Sequence, residues 1–136
     1  MSVYSFAQPV QAAVYADLTG DAALMAVVTG VYDLVPVDAV CPYLALTVER
    51  AAPFRTKTRR GERITLAVTV VSAEAGAREA QELSAAVVRV LSEGMLTVSG
   101  AALVLLVPQA VTLAFEENSR KVTARIGFEI TVQEAL

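Results

Sequence analysis

Arg55, Lys57, Arg59, Arg60 and Arg63 stand within nine residues, with Glu62 as the single acid among them. Guanidinium and ammonium groups at this density do one kind of chemistry well. They bind anions, either the carboxylates of a protein partner or phosphates, through charge-assisted hydrogen bonds. Residues 55–63 carry a net charge of +4, and the rest of the chain, with six bases and thirteen acids, carries −7. The segment is a positive spot on an acidic body. Phe54 is its one aromatic neighbour, whereas a groove for single-stranded nucleic acid interleaves several aromatics. On the residues alone, a solvated connector, a contact with a protein partner and a contact with phosphate all stand.

Other chemistry finds little support. The chain has no histidine, which removes the commonest general base and metal ligand and excludes Ser-His and Cys-His catalytic pairs. Asp33 and Asp38 flank a proline-bounded loop and Glu116-Glu117 sit in a turn; neither pair has a spacing that positions two carboxylates for acid-base work or binds a metal. The seven glycines are scattered, without the spacing that cradles a phosphate. One cysteine, Cys41, permits no intrachain disulfide and reads as a small buried apolar residue beside Pro42. The expectation is a protein with no catalytic residues, cofactor or metal, not an enzyme.

The elements that carry the basic segment are legible from periodicity. Ile64, Leu66, Val68 and Val70 alternate with Arg63, Thr65, Ala67 and Thr69, which predicts a strand over 62–72. A helix follows from about Ala77 to Glu93, with Ala80, Leu83, Val87, Val90 and Leu91 on one stripe and Gly94 as its stop. Leu44, Leu46 and Val48 give a strand to about Arg50, so the basic residues fall in an eleven-residue loop, Ala51 to Gly61, long enough to be functional or mobile. Upstream, Val10, Val14 and Leu18 with Ala7 form one helix with Pro9 in its first turn, and Thr19-Gly20-Asp21 leads into a second, short one through Leu24, Val27 and Val28, ended by Gly30. Val31 to Val35 alternates briefly before Pro36.

Downstream, Met95 to Leu103 reads as a tight hairpin around Ser99-Gly100, and Pro108 must sit at an edge or a break in pairing. Val111, Leu113 and Phe115 alternate, and so do Val122 through Val132; the two runs should pair as an antiparallel hairpin across the turn at 117–119. The expected fold is α+β: a single two-layer domain with a mostly antiparallel sheet of about four main strands, covered on one face by one long helix and two short N-terminal helices.

A length of 136 residues suits one domain, and 55% hydrophobic with 18% charged residues is an apolar balance. Part of that apolar excess, mostly Ala and Val, is expected to be buried against other subunits. The longest apolar runs, Ala22 to Val28 and Ala101 to Val107, are seven residues, far short of the roughly 20 that span a bilayer. The start of the chain has no basic head before an apolar stretch, so no leader and no membrane association are expected.

The order of landmarks resembles a known family. Leu18-Thr-Gly-Asp-Ala-Ala-Leu24, Val31-Tyr-Asp-Leu-Val-Pro36, Pro42-Tyr-Leu-Ala-Leu46 and Thr58-Arg-Arg-Gly-Glu62, the last leading into a strand and an Ala-rich helix, are similar to the tail-completion proteins of long-tailed phages. These are also called tail terminator or tail-to-head joining proteins, and related copies occur in gene transfer agents. The resemblance covers about residues 10 to 132. It implies a small α+β subunit that forms a hexameric ring on the tail tube, ends its polymerisation and joins it to the head connector. Its implied partners are itself, the major tail tube protein and the head-proximal connector or stopper, with DNA in transit through the lumen. Its implied place is the cytoplasm of the producing bacterium during assembly, then the head-proximal end of the tail. The basic residues Arg55, Lys57, Arg59, Arg60 and Arg63 would face a partner or the lumen. A second class of function stays open beside it: an oligomeric α+β ligand-binding or regulatory module that uses the loop for an acidic ligand.

Overall fold

The alternation at 62–72 becomes the central strand of the protein. The computed structural model describes residues 5–135, so the amino-terminal stretch read for a leader lies partly outside them. In chain order the elements are α1 (Ala7–Thr19), α2 (Ala22–Met25), β1 (Val31–Tyr32), β2 (Tyr43–Arg55), β3 (Arg60–Ser72), α3 (Arg78–Glu93), β4 (Ala101–Glu116) and β5 (Lys121–Glu134). The strands lie in the order β1-β2-β3-β5-β4. β1 is parallel to β2 and every other pairing is antiparallel. The architecture is thus the expected α+β one, with the two-residue β1 added to four long strands.

One face of the sheet forms the core. Ile64, Leu66, Val68 and Val70 of β3 and Val122, Ala124, Ile126, Phe128, Ile130 and Val132 of β5 point to this side and are buried. α3 closes over them with Ala80, Leu83, Ser84, Val87, Val90 and Leu91, the expected stripe widened by Ser84, whose hydroxyl donates to the Ala80 carbonyl at 2.7 Å. α1 lays Val10, Ala13, Val14 and Leu18 over β2 and β3. α2 is short but properly started, since the Asp21 carboxylate accepts the Leu24 N–H at 3.0 Å. On the opposite face Arg125 of β5 reaches across β3 to pair with Glu49 of β2.

Three expectations are corrected. The eleven-residue loop does not exist: β2 runs on to Arg55 and β3 begins at Arg60, so only Thr56 to Arg59 turn the chain. A bulge between Val48 and Arg50 shifts the register by one residue, which moves Ala51, Pro53 and Arg55 onto the helix side. A pattern that changes phase at Glu49 stops looking like one strand. Pro53 is tolerated because β1 covers only Leu44 and Ala45, leaving that end of β2 as a free edge.

The second correction concerns 95–103. Ser99-Gly100 do turn the chain, with Gly100 at φ +78°, but the arm before them is no strand. Leu96 and Val98 are instead buried in the core. The segment spans from the end of α3 to the sheet edge and fills the core on its way. Cys41 is the third: it is half-buried rather than buried.

Glu62 fixes α1 to the sheet at the end from which the basic turn projects. Its carboxylate is buried and accepts the Phe6 N–H at 2.6 Å and the Ser5 hydroxyl at 3.1 Å. A negative charge at the amino end of a helix is favoured by the helix dipole as well as by these bonds. Glu62→Ala is therefore expected to cost about 2 kcal/mol, the scale of a hydrogen bond to a charged group, measured as a lowered urea midpoint. Beside it, Gly61 is obligatory by close approach: a Cβ there would lie 2.5 Å from the Val132 carbonyl oxygen.

Candidate functional site

The basic residues sit on a tight turn. The Thr56 N–H donates to the Arg59 carbonyl at 2.9 Å, and the Arg59 N–H donates back to the Thr56 hydroxyl oxygen at 3.1 Å. A threonine side chain thus closes the turn where Asn-Gly or Asp-Gly would be the familiar signal. Arg55, Lys57, Arg59 and Arg60 surround a shallow depression with Thr56 and Thr58. Arg55 and Lys57 are exposed and Arg59 is half-exposed.

Not all five cations converge. Arg60 is half-buried on the helix side, its guanidinium 5.3 Å from the centre of the Phe6 ring. Arg63 points to the opposite face and lies over the Phe54 ring at 4.8 Å. The turn therefore presents Arg55, Lys57 and Arg59 outward, with Arg60 behind them and Arg63 apart. Sequence reasoning missed one member, Glu134, which shares the depression and accepts the Arg60 N–H at 3.1 Å. Only the β3–β5 register, which pairs Gly61 with Gln133, brings that residue here. The arrangement can hold an acidic group.

Among the described residues no three His, Cys, Asp or Glu side chains converge as a metal site, and no helix is long and apolar enough to cross a membrane. Burial raises the Asp17 carboxyl above the ordinary carboxylate range. Its Oδ2 is shielded from solvent without a hydrogen-bond partner among the described residues. It lies in a shallow hollow between α1 and the end of α3, near Gly94, with the acids Asp21 and Glu93 and the base Arg89; Arg89 pairs with Asp21 at 3.5 Å.

The second surface feature is β4. No charged residue stands between Ala101 and Phe115, and the strand's outer edge has no partner among the described residues. Val111, Leu113 and Phe115 share the face of buried Ile126, Ala124 and Val122, yet are 42%, 39% and 58% exposed. The helix layer ends before it reaches them. Leu105 and Val107 add exposed apolar surface on the other face. A long, uncharged edge strand of this kind is a ready site for association.

Residues 12–133 match the family described as tail completion protein gp17. The fold is similar to that of a chain in the virion of a native gene transfer agent particle, at 32% identity and a TM-score of 0.86, covering 96% of this chain and 99% of that one. It is also similar to the gp17 protein of bacteriophage SPP1, at 25% identity and a TM-score of 0.63, covering 91% of this chain and 88% of that one. No curated protein matches the sequence.

Proposed function

This chain belongs to the tail completion protein gp17 family and is a tail structural protein of a phage or phage-like particle, and from that premise we infer how it completes the tail. It assembles as a hexameric ring on the head-proximal end of the tail tube, ends the polymerisation of the tube protein and offers its free face to the head connector. The observation that carries this reading is β4, an edge strand uncharged from Ala101 to Phe115 whose apolar face is left uncovered within the subunit. Such a surface is stable in water only when a neighbour covers it, as it would be in a ring. The work is binding and geometry rather than catalysis.

The basic turn supplies the axial contact. Arg55, Lys57 and Arg59 project beyond the end of the sheet, so a ring repeats them on one side of the assembly. There they meet acidic groups of the adjoining tube or connector protein, with the phosphates of DNA in transit as the other source of negative charge.

Particles produced without this chain are expected to carry tail tubes of uncontrolled length, or tails that do not join heads, when viewed by negative-stain electron microscopy. Tails of normal length, attached to full heads, would overturn the proposal.

A further inference from the structure

We propose that the ridge Val111-Leu113-Phe115 of one subunit seats in a groove between α1 and the β2 edge of the next copy of this chain. The groove lies at the opposite side of the molecule and is lined by Gln8, Gln11, Ala12, Tyr15, Asp33 and Leu46. The inference rests on the ring reading above and deepens it by naming the two surfaces that meet.

Register puts ridge and groove at the same height. Val111 pairs with Ile126, Ile126 with Val68, and Val68 with Leu46, so one transverse row of the sheet begins at the ridge and ends at the groove. The next row runs Leu113, Ala124, Val70, Leu44 and Val31, ending at β1. Both features also lie on the helix-bearing face. A second copy placed side by side, with its sheet continuing the first, therefore brings its α1 over the uncovered part of β4. The neighbour then supplies the helix cover that the subunit lacks.

The surfaces differ in shape and are complementary in chemistry. The ridge has no charge, and the groove offers Ala12, Tyr15 and Leu46 as its apolar walls. The groove itself carries Asp33, whose carboxylate accepts from the Gln11 amide at 2.9 Å, and beyond it the loop to residue 38 adds Asp38 and no base and exposes Leu34 and Val37. Beside Phe115 the turn exposes Arg120 together with Glu117, while Glu116 is engaged by the Ser119 hydroxyl. Arg120 is the group placed to meet that acidic rim. Because two different surfaces meet, the contact is head-to-tail, which excludes a two-fold dimer and builds a ring when the rotation between neighbours closes. Side chains carry it more than a continued ladder does. Pro108 has no N–H to offer, and register shifts at Leu103/Leu105 and Pro108/Val111 interrupt the edge.

The test uses assembled particles in which Cys41→Ser removes the only native thiol. Phe115→Cys and Tyr15→Cys are introduced together and singly, and the particles are treated with a short bismaleimide. The double variant is expected to give a ladder of covalent multimers ending at a closed ring, with each single variant staying monomeric. Dimers from Phe115→Cys alone would mean a two-fold contact, and a crosslink to the tube protein would assign the ridge to that partner; either result overturns the proposal. An uncrosslinked chain present in normal tails overturns this interface while leaving the tail role intact, whereas absence of the wild-type chain from tails overturns the tail role itself. Leu113→Glu, at an exposed position, provides a second reading: an unchanged melting temperature with the chain lost from tails is expected, and full incorporation would count against the ridge.

Discussion

Replacing Val87 with Asp is expected to destabilise the protein by about 4 kcal/mol, the cost of leaving an uncompensated charge in a core. Val87 has no solvent exposure and lies in the middle of the buried stripe of α3, between Leu83 and Leu91, facing the sheet at β3 and β5. The described core offers the new carboxylate no cation. The nearest charges on the helix, Glu82 and Arg89, are on its exposed face. A protein with the usual total stability of about 5 to 15 kcal/mol would lose a large fraction of it, and the melting temperature should fall by about 10 °C or more for a chain of this size. Calorimetry of the purified subunit reads this directly. Glu82→Ala on the same helix should stay within about 0.5 kcal/mol of the parent. A Val87→Asp protein that melts with the parent would mean that α3 does not cover the sheet.

The second large effect concerns assembly rather than folding. Changing Arg55, Lys57 and Arg59 together to Ser should leave the melting temperature nearly unchanged, since Arg55 and Lys57 are exposed, Arg59 is half-exposed and the turn is closed by backbone groups and Thr56. Arg60 is excluded from the set because its side chain packs on Phe6. The variant should lower the yield of joined, functional particles by about tenfold or more, which corresponds to about 1.4 kcal/mol of lost docking free energy. In the ring proposed above the basic turns would come together, and like charges within about 8 Å repel appreciably at physiological salt, so a bound partner would have to neutralise them. Joining should accordingly weaken as salt rises in the parent and depend less on salt in the variant. Wild-type yields at every salt concentration would make the turn a solvated connector.

Much of the fold could be read from periodicity. The runs Ile64 to Val70 and Val122 to Val132 became the two central strands, the stripe from Ala80 to Leu91 became the buried face of α3, and Pro108 fell at a break in an edge strand. Side-chain direction along a strand or helix is a local property of the backbone, so spacing alone reveals which residues share a face. The basic composition of 55–63 was equally plain.

Tertiary structure decided the rest. The bulge at Val48/Arg50 turned an apparent loop into a hairpin by shifting the phase of one strand. Pairing of β3 with β5, far apart in the chain, carried Glu134 to the basic turn. Most of all, Val111, Leu113 and Phe115 alternate as regularly as the core strand they pair with, yet they are exposed and their partners are buried. Periodicity says which side chains lie together; it carries no information on whether another layer reaches them. That depends on where α1 and α3 cross the sheet, and here the helix layer ends before it covers Val111, Leu113 and Phe115.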